Sequence, residues 1–172
     1  MSPSTKNSSR FKSAKTTSQS SDTRHMAMIG EKLLDLGDLA YVRRFRSLSN
    51  DPASVGEGES TESAIGLYGL ERLLSYELLP DEGSQRPFLE RLQAELQNHG
   101  LLERFVVLPD GALIRPELIK WADHGAVGRG HVVRLYGSHS SEKSLVTCLL
   151  DTRENSLNFL NTLARRLTPS SK

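Results

Sequence analysis

The chain lacks several of the features by which a class of protein can be recognised. Its 172 residues contain one cysteine, Cys148, which excludes an intrachain disulfide and a zinc site built from Cys-x-x-Cys pairs. No apolar run approaches the roughly 20 residues that cross a bilayer, and the N-terminus lacks the apolar core of a secretory signal. These absences favour a protein without a membrane span in a reducing, cytoplasmic setting.

Basic residues are outnumbered by acidic ones outside the N-terminal tail, although the whole chain carries a net charge of +1. Residues 1–24 hold five basic groups and one acid, which leaves 17 basic and 20 acidic residues in the rest of the chain. Nucleic-acid binding usually depends on clustered Lys and Arg, because these side chains release counterions from the phosphates. The charge distribution therefore weakens the case for a nucleic-acid partner.

Residues 1–24 contain twelve Ser or Thr residues and almost no apolar ones. Such a segment cannot bury enough surface to offset the entropy lost on ordering, so we expect a disordered tail. Three roles fit its composition: a solvated extension, a basic arm that follows phosphates, and a targeting segment for export or for an organelle. The tail also resembles the N-terminal secretion signals of bacterial type III effectors.

Two stretches have apolar residues at helical spacing. We predict a helical segment over residues 26–48, continuous or broken at Gly37, and a second helix over residues 63–79 that Pro80 ends. Between them, residues 49–62 form an acidic, Gly- and Ser-rich linker. The apolar residues are Ile29, Leu33, Leu36 and Ala40 in the first stretch and Ile65, Leu70, Leu73, Leu74 and Leu78 in the second.

The clearest pattern in the chain is a helix followed directly by a β-hairpin. Ser84 can cap a helix over residues 85–99, and Gly100 can adopt the left-handed conformation that ends it. Residues 104–108 then form a β-rich run, and a Pro-Asp-Gly turn leads to a return strand at residues 112–114. The predicted buried stripe of the helix is Phe88, Leu89, Leu92 and Leu96.

This passage resembles the helix-to-wing passage of winged helix-turn-helix proteins over residues 63–119. There a helix ends in Gly-Leu-(Ile/Leu) and a glycine turn opens the wing, as Gly100-Leu101-Leu102 and Asp110-Gly111 do here. The resemblance implies a winged-helix-like core at residues 63–122, whose helix over residues 85–99 faces the major groove, where Arg and Gln read base edges. The implied nucleic-acid contacts are Gln85, Arg86, Glu90, Arg91 and Gln93 from the helix and Arg104 and Arg115 from the wing.

The C-terminal third of the chain predicts a ββα unit over residues 123–172. Its strands lie at residues 131–136 and 144–150, and its helix begins after a cap at Asp151 or Thr152. We expect this unit to pack on the winged-helix-like core or to form a dimer surface. The fold class is therefore α+β. The predicted apolar stripe of the last helix is Leu157, Leu160, Leu163 and Leu167.

Two shorter features join the wing to this unit. Residues 115–122 predict a short helix with Pro116 in its first turn. The glycine-rich segment at residues 125–131 can in principle cradle a phosphate through its backbone N–H groups. It matches neither the P-loop spacing nor the spacing of dinucleotide-binding loops, so a surface loop is the better interpretation.

No catalytic motif, metal site or cofactor site is complete in this sequence. Five residues close together could serve a metal-independent ribonuclease, because His transfers protons and Arg stabilises a phosphate. In most proteins such residues are ordinary surface polar groups. Cys148 lies in an apolar run, which predicts a buried, inert thiol. The five residues are Lys120, His124, Arg129, His131 and Arg134.

These patterns favour a non-enzymatic DNA-binding or regulatory protein of the winged-helix type. Glu90 and Glu95 depart from that pattern, because acids are unfavourable beside phosphates. The alternatives are a secreted bacterial effector or toxin-like protein with ribonuclease activity, and a protein–protein adaptor that uses the same helix–hairpin unit. We expect DNA or a protein as the partner, with a homodimer as one option. The expected location is the cytoplasm, unless the N-terminal tail exports the protein or directs it to an organelle.

Overall fold

A computed structural model describes residues 23–45, 63–128, 130–138 and 143–168. The predictions for most of the N-terminal tail and for the acidic linker lie outside these residues. Arg129 lies outside them as well.

Ten strands and two α-helices make up the described part of the chain. The strands are β1 (Met26–Ile29), β2 (Lys32–Asp35), β3 (Tyr41–Phe45), β4 (Ser63–Tyr68), β5 (Leu73–Leu79), β6 (Val106–Val107), β7 (Leu113–Ile114), β8 (Trp121–Val127), β9 (Gly130–Tyr136) and β10 (Val146–Leu150). The helices are α1 (Gln85–Asn98) and α2 (Arg153–Leu167). Short 3-10 turns lie at Leu36–Asp38, Glu82–Ser84, Leu102–Arg104 and Pro116–Leu118.

The strands form three antiparallel sheets. β1 and β2 pair as a hairpin, and a five-stranded sheet has the order β5-β4-β3-β7-β6. The third sheet has the order β10-β9-β8. The fold is thus mixed α+β, which confirms the predicted class.

The first hydrophobic core lies between α1 and the five-stranded sheet. The predicted stripe of α1 is buried, and it packs against Val42, Ile65, Leu67 and Leu113 of the sheet. The β1–β2 hairpin adds its inner face, including Ile29, to the same core. Gly100 ends the helix with a φ of +67°, as predicted for the left-handed cap.

The second core lies on the side of β7 that faces away from the first core. Side chains alternate across a strand, so Ile114 joins this core while its neighbour Leu113 joins the first. Val133 and Cys148 from the three-stranded sheet and Leu163 from α2 complete its centre. The C-terminal strands and helix therefore pack on the core that α1 and the five-stranded sheet build.

The helical prediction for residues 26–48 is wrong in the described residues, which form β1, β2 and β3 up to Phe45. Gly30 turns the chain between β1 and β2 with a φ of +62°. Ile29 and Leu36 are buried, whereas Leu33 is 59% exposed. Apolar residues from the two faces of a hairpin thus happened to fall at helical intervals.

The helical prediction for residues 63–79 is also wrong, because they form β4, β5 and the turn between them. β4 is buried on both faces, so its apolar residues follow one another without the alternation that marks a half-exposed strand. The described residues from 63 to 84 contain no α-helix. They do not supply the helix that the winged-helix resemblance requires before residues 85–99.

The short helix predicted at residues 115–122 is reduced to the 3-10 turn Pro116–Leu118. The glycine-rich segment is not an extended loop, because residues 121–127 pair with 130–136 as the β8–β9 hairpin. The hairpin turn includes Gly128, whose φ is +59°. The predicted strands at residues 131–136 and 144–150 are confirmed by β9 and β10, and the last helix by α2.

Thr152, one of the two predicted caps, caps α2 by accepting a hydrogen bond from the Asn155 N–H at 3.1 Å. Neither α1 nor α2 is long and apolar enough to cross a membrane.

Candidate functional site

Gln85 belongs to a buried network and is not available to read a base, contrary to the role implied by the winged-helix resemblance. Its side chain is fully buried, and its Oε1 accepts a hydrogen bond from Arg44 Nε at 2.6 Å. Its Nε2 donates to the Phe45 carbonyl at 2.9 Å and also to the Ser63 hydroxyl. Arg44 extends the network to Asp110, at 3.2 Å between Nη1 and Oδ2. Gln85 therefore joins α1 to the five-stranded sheet.

Three other candidates on α1 line a crevice between the helix and the β6–β7 turn: Arg86, Glu90 and Gln93. Arg86 is exposed and forms an ion pair with Glu90, with 3.0 Å between Nε and Oε1. Gln93 donates a hydrogen bond to the Gly111 carbonyl at 2.9 Å. Arg91 is exposed, and it forms no ion pair among the residues that the structure describes. The outer surface of α1 thus carries both signs of charge.

The two wing candidates do not join Arg86 and Gln93 in this crevice. Arg104 is exposed at the end of a 3-10 turn, near Arg24 and His25. Arg115 lies over the Phe105 ring, with 5.9 Å from its guanidinium carbon to the ring centre, and it donates to the Gly37 carbonyl. Arg115 is therefore committed to internal contacts.

Three of the five residues suggested for a ribonuclease lie in the three-stranded sheet, and they are divided between its two faces. His124 and His131 lie on one face, since His124 pairs with Val133 and His131 pairs with Ala126. Arg134 lies on the other face, where its Nε donates to Asp123 Oδ1 at 2.7 Å. Within the described ranges, no group of three His, Cys, Asp or Glu side chains could hold a metal ion.

Cys148 is fully buried in the second core, as its apolar surroundings in the sequence predict. Burial is the main cause that raises the pKa of its thiol to about 12, and the nearby negative charge of Asp110 adds to the rise. The thiol is therefore neutral at neutral pH, which argues against a nucleophilic role.

The side of the five-stranded sheet that faces away from α1 carries an unusual set of side chains. Cross-strand partners point to the same side of a sheet, so the registers of β3, β4 and β5 define three rows of three residues. We call this surface the aromatic face. Its rows are Tyr41, Tyr68 and Leu73; Arg43, Gly66 and Tyr76; and Phe45, Ala64 and Leu78.

Two ring pairs cover the aromatic face. Tyr41 and Tyr68 are stacked with 4.7 Å between ring centres, and Phe45 and Tyr76 meet at 5.5 Å with tilted planes. Gly66 makes room for the rings, because a Cβ at this position would lie 2.6 Å from Tyr68 Cε2. Burial is the main cause that raises the pKa of the Tyr41 hydroxyl, and Tyr68 adds to the rise while Arg43 opposes it.

The β5 edge of this face is open to solvent, whereas its β3 and β4 residues are buried or half-buried. Leu73, Tyr76 and Leu78 are 47%, 42% and 65% exposed, although each has a large apolar side chain. Arg43 lies over the Phe45 ring at 5.2 Å from its centre. No carboxylate lies within ion-pair distance of Arg43 in the described part of the chain. The aromatic face thus combines exposed apolar groups with one unneutralised cation.

The sequence contains the signal for this face, in the alternation Tyr41-Arg43-Phe45 and in Tyr76-Leu78. The pattern does not predict this face, because both stretches also fit a helical period. In a helix these residues would point in different directions around the axis.

Comparisons with protein-family models, with curated proteins and with solved structures give no match for this chain.

Proposed function

We propose that this protein binds another protein through the aromatic face, as a non-enzymatic adaptor. The observation that carries the proposal is the exposure of Leu73, Tyr76 and Leu78 side by side on one sheet. Contiguous exposed apolar groups on a folded protein are typical of interaction surfaces, and aromatic residues are enriched where binding energy is concentrated.

Arg43 gives this surface a chemical preference. Arg43 lies in the middle row, where Gly66 separates it from exposed Tyr76, and it lacks a carboxylate partner in the described ranges. Covering an unpaired cation costs free energy unless the partner supplies an opposite charge. We therefore propose a partner segment that presents apolar side chains together with one carboxylate.

The overall charge supports a protein partner over a nucleic acid. The described residues contain fifteen basic and fifteen acidic side chains, so they carry no excess of positive charge. A protein that binds phosphates tightly gains most of its affinity from clustered positive charge. An apolar surface with one cation suits a polypeptide better.

DNA binding of the winged-helix type, which the sequence resemblance implies, has weaker support than binding of a protein. Arg86, Arg91 and Arg104 are exposed, but Gln85 is buried and Arg115 makes internal contacts. The arrangement of His124, His131 and Arg134 gives the ribonuclease alternative no common centre. The export alternative rests on the tail of residues 1–24, most of which lies outside the described residues.

The proposal can be tested by selecting short random peptides, displayed on phage, against the immobilised full chain. We expect the selected peptides to share apolar residues and an Asp or Glu. Their affinity, measured by fluorescence anisotropy, should fall about tenfold in Leu78→Asp. This loss corresponds to about 1.4 kcal/mol of binding free energy. Arg43→Gln should weaken only the peptides that carry the acid.

Leu157→Asp is the matched control, because Leu157 is 38% exposed on α2 and lies apart from the aromatic face. Circular dichroism and thermal unfolding should confirm that both aspartate variants fold. If Leu78→Asp and Leu157→Asp bound the selected peptides as tightly as the unaltered protein, the aromatic face would not be the binding surface.

A further inference from the structure

A cavity opens beside the first row of the aromatic face, where the five-stranded sheet meets the three-stranded sheet. Its volume is about 480 Å³, within the range that small ligands and single side chains occupy. Tyr41 from β3 and Leu70 from the β4–β5 turn contribute one part of its wall. Leu118 and Leu145 contribute another part. We call this cavity the junction pocket.

The rim of the junction pocket is charged. Glu71, Glu117 and Lys120 line it, and none of the three forms an ion pair with another described residue. The rim therefore has one more negative than positive charge. Apolar side chains next to a negative rim match a ligand that has an alkyl stem and a cationic head.

We propose that the junction pocket binds an alkyl cation, an ammonium or guanidinium group on a short hydrocarbon stem, and that in the natural complex this group is a Lys or Arg side chain of the partner segment. The stem packs against the leucines and the Tyr41 ring, and the head lies between Glu71 and Glu117. This inference rests on the proposed function, because it assigns the pocket to the same bound segment.

The two charge preferences set a spacing in the partner. Tyr41 lines the pocket and Arg43 follows it two positions along β3, which is about 7 Å in an extended strand. A partner segment that lies along β3 would place its basic side chain in the pocket and its carboxylate near Arg43. The partner would then carry opposite charges separated by a few residues.

Lys120 limits the affinity of the pocket for a cation, since its ammonium is on the same rim. Replacing Lys120 with Gln removes this repulsion, whereas replacing either glutamate removes an attraction. The three substitutions therefore change the affinity for a cation in predictable and opposite directions, while their exposed positions leave the fold unaffected.

The test uses n-butylammonium and n-butylguanidinium as probes, and 1-butanol as a neutral probe of similar size. Binding to the full chain is followed by the methyl NMR signals of Leu70, Leu118 and Leu145. We expect saturable shifts with both cations and much weaker ones with 1-butanol. The double substitution Glu71→Gln and Glu117→Gln should weaken cation binding about tenfold, and Lys120→Gln should strengthen it a few-fold.

Glu103→Gln is the control for a general loss of negative charge, because Glu103 is exposed and lies outside the pocket. The inference is overturned if the three leucine signals do not respond to the cations. It is also overturned if 1-butanol shifts them equally, or if Glu103→Gln weakens binding as much as the double substitution does.

Selected peptides then separate a side-chain ligand from a free amine. Replacing a Lys of such a peptide with norleucine should weaken its binding to the unaltered protein but not to the double Glu→Gln variant. If cations bind the pocket but this replacement has no effect, the pocket binds a free amine and the inferred partner side chain is wrong. If Leu78→Asp loses peptide binding and the unaltered protein binds no cation, the proposed function is retained and this inference is refuted.

Discussion

Cys148 lies in β10 and points into the second core, where it meets the polar turn that contains Asp110. The thiol is fully buried, and burial followed by the charge of Asp110 raises its pKa from an ordinary value of 9.0 to about 12. In the unfolded chain the same thiol would lose its proton at a lower pH. This difference couples the ionisation of one side chain to the stability of the fold.

We predict that Cys148 stabilises the folded state less as the pH rises above 9. Between the unfolded and folded pKa values the unfolded chain binds fewer protons than the folded one, so the free energy of unfolding decreases with pH. The slope approaches about 1.4 kcal/mol per pH unit for one proton. Urea unfolding of the unaltered protein and of Cys148→Ala at pH 8 and pH 10 measures this contribution. A stability difference that stays constant between the two pH values would contradict it.

Gln85 illustrates how far a single residue can be interpreted from sequence. Its position in the first turn of α1 was correctly predicted, but its role was not, because an amide at a helix start suits either a base or a backbone carbonyl. The hydrogen-bond partners that fix the role of Gln85 come from strands about 20 to 40 residues away. These partners are Arg44, Phe45 and Ser63. No local pattern identifies them.

At the scale of elements, β4 contains a glycine whose missing side chain shapes the aromatic face. A Cβ at Gly66 would lie 2.6 Å from Tyr68 Cε2 and 3.1 Å from Phe45 Cε2. Both rings would have to shift within a face that they share with Tyr76.

We predict that Gly66→Ala destabilises the protein by about 1–3 kcal/mol, because the added methyl displaces packed rings. Gly130→Ala is the matched control, since it also lies in a strand and its added Cβ would meet its nearest neighbour at an ordinary 3.4 Å. Chemical unfolding of both variants makes the comparison. Equal losses of stability would show that the spacing of the rings is not the cause.

The two helices were predictable from sequence, and several strands were not. α1 has the apolar stripe predicted for it, whereas Leu157, predicted for the stripe of α2, is 38% exposed and Phe159 packs on the second core instead. Gly100 ends α1 and Thr152 caps α2 through local backbone geometry. β4 is buried on both faces, so its sequence has no period of two. The β1–β2 hairpin exposes Leu33 and Met28 on its outer side, which adds apolar residues where polar ones are expected.

At the scale of the whole molecule, one sheet supports two cores. The five-stranded sheet packs on α1 and the β1–β2 hairpin through one face, and its other face is shared by the second core and the exposed aromatic face. Positive and negative side chains are equal in number over the described residues. Long-range attraction of a polyanion is therefore weak.

We predict that the protein does not retard duplex DNA in a gel-shift experiment at low ionic strength. The reason is the balanced charge of its folded part, together with the pairing of Arg86 with Glu90. A retarded band that weakens with added salt and in Arg91→Ala would instead support DNA binding through α1. Deleting residues 1–22 in parallel separates any contribution of the basic tail from that of α1.

The sequence by itself determined the α+β class, the two helices, the glycine end of α1, the Thr152 cap of α2, the short β6–β7 hairpin and the burial of Cys148, but not the Ser84 cap of α1, which the structure does not form. These features depend on interactions between residues close in the chain, or on a long apolar run. Tertiary structure alone decided that Gln85 is a buried link and that Tyr41, Arg43, Gly66, Tyr76 and Leu78 share one surface. The physical reason is that strand pairing brings distant residues side by side, and the identity of a neighbouring strand is not encoded in the period of any one segment.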